Sequence, residues 1–376
     1  MKAISHQKIL HSKNICFIFP HPPSGPTGGY KVVYEYANRL AKDGFDVKIA
    51  YSGSVFWKKK PFKFKITNIY RYFETFLKGY SSRKWFPLDK RIGEVFPFSM
   101  NYRHIPKADI YFATSPYTAW YLNKYPIESE RKFYLIQDKE DWGSGLKAIL
   151  KSTYKMPLQK IVVSKWLWRM LKNEYKEESV LIPNGFDFNK FKLTIPIDKK
   201  DKYSISILYH NMERKRCEDA ISALKLVKGK IPQLRVKAFG VPQSPANLPE
   251  WIEYYQQPDD ETHNRINNEC AIYIGSSENE GWGLTVGEAM ICGQAVCCTD
   301  NEGYREMAID GKTALLSPVR DPKALADNII KLIEDDDLRI KIAKNGNKYI
   351  RSFTWDKSYL KFKQILLDTQ HETCYF

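Results

Sequence analysis

Apolar positions in this chain fall into short runs separated by stretches with helical spacing. Asn14 to Pro20 is one such run, and it ends in the turn-rich segment His21-Pro22-Pro23-Ser24-Gly25-Pro26-Thr27-Gly28-Gly29. Beyond it Val32, Val33, Tyr36, Leu40 and Ala41 recur three and four residues apart, which predicts a helix. Asp43-Gly44 stops the helix and Val47-Lys48-Ile49-Ala50 starts a second strand, giving a βαβ opening with a glycine-rich loop at the helix start. Ile110 to Ala113, Lys132 to Ile136, Ile161 to Val163 and Ser179 to Ile182 read as further strands. A second alternating series follows, with strands at Ile205 to Tyr209, Leu234 to Phe239, Ile252 to Tyr255, Ala271 to Ile274 and Ala295 to Cys298. The expected fold class is therefore α/β, with two parallel-sheet units in tandem and ligands at the carboxyl ends of their strands. A length of 376 residues also asks for more than one core. The last amphipathic stretch is Trp355 to Leu367.

The richest chemistry lies at Ser276-Ser277-Glu278-Asn279-Glu280-Gly281-Trp282-Gly283-Leu284-Thr285-Val286-Gly287-Glu288-Ala289-Met290, directly after the apolar run Ala271 to Ile274. Strand, glycine-rich turn and helix together make an anion site, because free N–H groups and the helix dipole meet at the helix start. Glu280 stands on the loop, beside whatever is attached to the phosphate. Glu288 falls about one turn into the helix, where a carboxylate can accept two hydrogen bonds from a ribose diol. The pattern suits a nucleotide carrying a group on its diphosphate.

This stretch resembles the Glu-x7-Glu signature of family 4 glycosyltransferases, retaining enzymes of the GT-B fold used in bacterial surface polysaccharide synthesis. The similarity continues through Gly287-Glu288-Ala289-Met290-Ile291-Cys292-Gly293-Gln294-Ala295-Val296, Asn301-Glu302-Gly303-Tyr304-Arg305-Glu306 and Asp310-Gly311-Lys312-Thr313-Ala314-Leu315-Leu316. It is plain from about Ser204 to Trp355 and patchier before. Pro183-Asn184-Gly185-Phe186-Asp187 resembles the family's hinge. The resemblance implies two Rossmann-like domains facing across a cleft. They are an acceptor-side domain over 1–193 and a nucleotide-sugar domain over 200–355, with the helix 356–376 crossing back onto the first.

The resemblance also assigns roles. Glu280 holds the donor sugar, and Gly281, Trp282, Gly283, Leu284 and Thr285 line the sugar and phosphates, with Trp282 either flanking the sugar or plugging the core. Lys215 matches the lysine of the family's phosphate clamp. The family's arginine falls on His210 or Tyr209, and the glycine after the lysine is Arg216, so Arg214 or Arg216 supplies the second cation. Gly28 and Gly29 open the first helix and face the donor diphosphate. Gln137 and Asp138 stand where many members carry a histidine; Gln137 hydrogen-bonds a sugar hydroxyl or a carbonyl, and Asp138 contacts the acceptor or caps the next helix. The nucleobase would fall near Tyr254 to Pro258. No metal-binding Asp-x-Asp is present, and Asp335-Asp336-Asp337 reads as a helix cap. No cofactor and no metal are expected, so cations and backbone amides must meet the leaving-group charge.

Charge changes the picture of partners. The net charge is +16, but residues 1–190 hold 33 Lys and Arg against 16 Asp and Glu, whereas the remainder holds 26 against 27. Residues 51–91 contain 11 Lys and Arg, 2 acids and 12 aromatics. Lysines seek anionic headgroups and aromatics seek the bilayer interface, so this segment is expected to meet an anionic membrane surface. A solvated basic face and a nucleic-acid site are the alternatives. Cys16, Cys270, Cys292, Cys297 and Cys298 sit in apolar settings and read as reduced structural thiols. No apolar run is long enough to span a bilayer, and Met1 to Ser12 lacks the apolar core of a signal peptide. The expected place is the cytoplasm, peripheral to the inner face of the membrane.

The resulting expectation is a metal-independent hexosyltransferase. It would move a sugar from a nucleotide sugar to a hydroxyl of a glycan or lipid-linked glycan in cell-surface polysaccharide biosynthesis. The alternative is a non-catalytic GT-B relative that binds nucleic acid or another polyanion through its basic half.

Overall fold

The computed structural model describes residues 13–23, 25–52, 73, 77, 79–140, 146–243 and 248–371. They form two compact units, Met1–Pro183 with Ser358–Phe376, and Asn184–Lys357.

The first unit is built on seven parallel strands: β1 (Asn14–Phe19), β2 (Asp46–Tyr51), β3 (Gly93–Val95), β4 (Ile110–Ala113), β5 (Lys132–Ile136), β6 (Gln159–Val162) and β7 (Val180–Leu181). Their order is β3-β2-β1-β4-β5-β6-β7. Four successive β1 residues, Ile15 to Ile18, are wholly buried, as a strand covered on both faces requires. The helix Gly28–Lys42 covers part of this sheet through Val33, Ala37 and Leu40. From Ser358 onward the final helix, Trp355–His371, packs in the same unit. Phe362 stacks on Tyr36 at 4.2 Å and on Phe112 at 5.1 Å. Tyr359 and Lys363 both donate to the Asp43 carboxylate at 2.6 Å.

The second unit carries β8 (Asp201–Leu208), β9 (Arg235–Gly240), β10 (Ile252–Gln256), β11 (Cys270–Gly275), β12 (Ala295–Thr299) and β13 (Ala314–Ser317) in a parallel sheet. Its order is β10-β9-β8-β11-β12-β13. Strand order reverses between β8 and β11, where Ile205 pairs with Ile272 and Ile207 with Ile274. The two strands end together, so the loops that follow them start side by side at the point where such sheets bind ligands. Two strands lie outside the sequence expectation. β3 is a half-buried three-residue edge, and β13 lies inside a stretch that stands out in the sequence only as a motif.

Packing places the boundary between units at Pro183, ten residues before the expected one. Residues 184–199 are held by the second unit. Phe186 N donates to Phe353 O, and Phe186 occupies the space a Cβ on Gly287 would need. Asn268 Oδ1 accepts from Thr194 N at 2.7 Å, and Asn264 Oδ1 accepts from Lys192 N at 3.0 Å. Lys192 and Thr194 are thus partners of two asparagines on the helix Asp260–Glu269.

Lys200 ends this connection. Its buried ammonium donates to the carbonyls of Asn267, Asn268 and Cys270 at 3.0, 2.7 and 3.2 Å, closing the C-terminus of that helix. Lys200→Met leaves three buried carbonyls without a donor and is expected to cost about 3 kcal/mol in urea unfolding. Burial pushes the Lys200 pKa down to about 8, from 10.5. Between those values the unfolded chain binds more protons at residue 200, so this group adds stability to the wild type as pH rises, an increment the methionine variant lacks. The difference in melting temperature between them is expected to widen from pH 8 to 10.5.

Most of the basic aromatic segment, residues 53–72, 74–76 and 78, lies outside the described residues. Near its end Arg83 is tied to Glu94 at 2.7 Å, Arg91 to Asp89, and Phe86 is buried. Among the described residues no helix is long and apolar enough to cross a membrane. The cysteines expected to be structural are buried free thiols, with Cys16, Cys270 and Cys292 pushed up to about 12 by burial.

Candidate active site

The loops after β8 and β11 are stitched together by backbone. Glu278 N donates to Arg214 O at 2.8 Å, and Ser276 Oγ donates to Lys215 O at 2.9 Å. The first loop makes a 3-10 turn at Glu213–Lys215 and swings through Arg216, whose φ is 48°. The second turns through Gly283, φ 94°, into the helix Leu284–Ile291. A left-handed turn at Gly283 needs glycine, and a Cβ there would also lie 2.7 Å from the Tyr304 ring.

These loops bring Lys215 and Glu280 into contact, Nζ to Oε1 at 2.5 Å, with both side chains largely buried. Arg214 Nη1 lies 3.9 Å from Glu280 Oε2 and donates to Asn279 O at 3.0 Å. Burial alone would raise the Glu280 pKa, but Lys215, Arg214 and the hydrogen bonds from Lys215 and Ser277 outweigh it and hold the carboxyl below its ordinary range. Arg216 turns elsewhere, forming a bidentate pair with Asp219 at 2.8 and 3.0 Å. Of the two arginines left open by the sequence, Arg214 is the one beside Glu280. His210 is held toward its neutral form. Burial, then Lys215 and Arg214, push its pKa down, and its Nδ1 accepts from Met212 N at 2.9 Å.

The helix Leu284–Ile291 has no side-chain cap and no acid in its first turn, so its leading amides keep their capacity for an anion. Thr285 Oγ1 accepts from Tyr273 at 2.8 Å. Glu288 is half-buried one turn in. The Trp282 side chain is buried. It is 3% exposed and packs edge-on against Phe353 at 5.2 Å, which makes it a core plug.

In the first unit the helix begins at Gly28, and Thr27 gives it no side-chain cap. Gln137 Nε2 donates to Gly29 O at 2.9 Å, so of the two partners left open by the sequence the carbonyl is the one it meets here, and the amide ties down the glycine loop. Asp138 Oδ1 accepts from Lys139 N at 2.8 Å, next to residues 141–145, which are outside the described residues. Among the described residues no group of three or more His, Cys, Asp and Glu is set to hold a metal ion. Asp335 accepts from Leu338 N at 2.9 Å and caps its helix.

Sequence reading gave no role to Thr299, Asn301, Gly303 and Tyr304. Thr299 Oγ1 and Asn301 Nδ2 donate to Ser277 O at 2.5 and 2.9 Å. Gly303 lies against the Glu280 backbone, and the Tyr304 ring against Gly275 and Gly283. The block after β12 is a brace under the Glu280 loop. Its repeated match to a family motif was the only signal available.

Residues 188–349 match the family model for glycosyl transferases group 1, a segment inside the second unit. Over 221 residues the chain is 25% identical to a phosphatidyl-myo-inositol mannosyltransferase of Mycobacterium tuberculosis, covering 55% of this chain and 58% of that protein. Over 96 residues it is 30% identical to an uncharacterized glycosyltransferase of Methanocaldococcus jannaschii, covering 26% and 27%. The alignments thus span about a quarter to just over half of these relatives' lengths. Among solved structures, Anabaena HepE in complex with UDP and glucose superposes with a TM-score of 0.71 at 16% identity, over 95% of this chain and all of that one. Sucrose-phosphate synthase from Thermosynechococcus elongatus gives 0.69 at 17%, over 96% of this chain and all of that one. Residues 188–349 therefore match the glycosyl transferases group 1 family, within a chain that has the two-domain α/β GT-B fold.

Proposed function

We propose that this protein is a retaining, metal-independent glycosyltransferase that moves a hexose from a nucleoside diphosphate sugar to a hydroxyl of a glycan or lipid-linked acceptor. The observation that carries the reading is the Lys215–Glu280 pair, with Arg214 beside it, at the reversal point of the second sheet. An anion-ready helix start and a carboxylate on the adjoining loop are what a sugar diphosphate needs. Lys215, Arg214 and the leading amides of the helix Leu284–Ile291 would hold the diphosphate. Glu280 would hold the sugar, and Glu288 the ribose. In transfer, the bond from the anomeric carbon to the diphosphate oxygen breaks and its electron pair leaves with the nucleoside diphosphate. The acceptor oxygen bonds to that carbon on the same face, and its proton passes to the departing diphosphate. The protein's main contribution to the rate is then to stabilise negative charge on the leaving group.

The names of similar proteins give the panel its starting members: UDP and glucose for the Anabaena structure, mannose for the mycobacterial enzyme. UDP-glucose, GDP-mannose, ADP-glucose and dTDP-glucose are offered to the protein, with and without EDTA, and melting and slow donor hydrolysis are followed. One donor is expected to stabilise the fold and be hydrolysed at the same rate in EDTA. Silence toward every donor would remove the enzymatic reading. Loss of hydrolysis in EDTA would remove its metal-independent part.

The excess of 33 Lys and Arg over 16 acids in residues 1–190 favours an anionic partner for that half. Within this reading the partner is the cytoplasmic face of a membrane that carries the lipid-linked acceptor, in keeping with the phosphatidyl-myo-inositol in the mannosyltransferase's name. Salt-sensitive binding of nucleic acid without donor turnover would favour a non-catalytic relative instead.

A further inference from the structure

Cations alone do not hold Glu280. Ser277 Oγ donates to Glu280 Oε1 at 2.7 Å, and the same oxygen receives Lys215 Nζ at 2.5 Å. A carboxylate oxygen has two lone-pair sites, so these two donors fill Oε1. Oε2 differs. Arg214 Nη1 stands 3.9 Å from it, beyond hydrogen-bond range. The terminal torsion of a glutamate is broad, so an unrestrained carboxylate samples many orientations of its plane. Here the plane is restrained by a donor whose own backbone is held. Ser277 is 3% exposed, and its carbonyl is gripped by Thr299 Oγ1 and Asn301 Nδ2, both from buried residues at the end of β12.

We propose that Ser277 is a positioning residue that fixes the plane of the Glu280 carboxylate, so that one oxygen is held by Ser277 and Lys215 and the other, at the Oε2 position, is presented, and that Thr299 and Asn301 act on the reaction through Ser277. The use of that oxygen on a donor sugar hydroxyl rests on the glycosyltransferase reading above, whereas the fixed orientation does not. A single presented oxygen fixes one hydroxyl position on the sugar ring, and this makes Ser277 a determinant of which donor sugars are accepted, although it touches none. The charged and titratable groups facing Glu280 are Lys215, Arg214 and His210 from the loop after β8, Tyr273 from β11 and Tyr304 from the turn after β12. All of them remain in the variants below. A hydrogen bond to the ionised carboxylate favours that form, so deleting the Ser277 hydroxyl raises the Glu280 pKa.

The test compares wild type, Ser277→Ala, Ser277→Thr and Thr299→Val, each checked for an unchanged melting transition. Two readouts are taken. One is the carbon-13 titration of the Glu280 carboxyl, assigned by its loss in Glu280→Gln. The other is kcat and its pH profile with the accepted donor. Ser277→Ala is expected to move the titration and the acid limb of kcat to higher pH and to lower kcat about tenfold, the effect of losing one charge-assisted hydrogen bond. The affinity for free UDP stays as in the wild type, and Ser277→Thr restores both readouts. Thr299→Val should shift them in the same direction by less, and it serves as the second route if the alanine variant does not fold. A carboxyl titration unchanged in folded Ser277→Ala overturns the proposal, as does a fall in kcat with an unmoved acid limb. A shifted titration in a protein that turns over no donor leaves the positioning role standing and removes the glycosyltransferase reading instead.

Discussion

Glu280→Gln is expected to bind a nucleoside diphosphate at least as tightly as the wild type and to turn over its donor a hundredfold to a thousandfold more slowly, about the effect of removing one preorganised electrostatic contact. The glutamine keeps the volume and an oxygen for Ser277. It removes the charge that opposes positive charge developing on the sugar, and it releases Lys215 from an ion pair at 2.5 Å. A phosphate near Lys215 then meets less competition. Acid stability gives an independent check. Because the Glu280 pKa is depressed in the fold, the pair stabilises the protein above the ordinary carboxylate range, and that contribution is lost as pH falls through the folded value. Glu280→Gln removes this part of the acid dependence, so thermal melts from neutral to acidic pH should fall less steeply in the variant. A variant that loses UDP affinity in parallel with turnover would show that Glu280 serves only to hold Lys215.

Gly303→Ala has the second large effect. A Cβ at this position lies 2.2 Å from Glu280 O and 2.7 Å from Glu280 Cβ, and the neighbour is backbone that cannot swing aside. Either the brace after β12 or the Glu280 loop must move. The expected cost is about 3 kcal/mol in urea unfolding, the upper range of overpacking in a close-packed interior. Molecules that remain folded should have lost most turnover, because the Glu280 loop and its brace can no longer both keep their places. Gly229→Ala is the control. No atom lies within 4 Å of its added methyl, and the position is in the helix Cys217–Lys230, so alanine should stabilise by up to about 1 kcal/mol. Equal effects at the two glycines would show that the contact at Gly303 relaxes without consequence.

The strands that place the site were legible because burial on both faces leaves unbroken apolar runs, as in Ala271 to Ile274 and Ile15 to Ile18. Sheet order was not, because a run of apolar residues does not name its neighbour. The pairing of β8 with β11 brings Lys215 to Glu280 across 65 positions of chain. The Glu-x7-Glu spacing located both carboxylates, yet it could not say that Trp282 turns inward or that Arg216 commits its guanidinium to Asp219. Those outcomes depend on Phe353 and on a left-handed turn at Arg216, neither of which has a periodic signature. Gln137 shows the same limit. Its position after β5 was read correctly, but its partner, the carbonyl of Gly29, lies 108 residues away.

The most direct test of the central claim is a calorimetric titration of UDP and GDP into wild type, Lys215→Met and Arg216→Ala, at two salt concentrations. One nucleotide should bind the wild type with one-to-one stoichiometry, lose at least tenfold in affinity in Lys215→Met, and bind Arg216→Ala almost unchanged. Equal affinity in wild type and Lys215→Met, or no binding of either nucleotide, would contradict the assignment of the Lys215–Glu280 site to a nucleoside diphosphate.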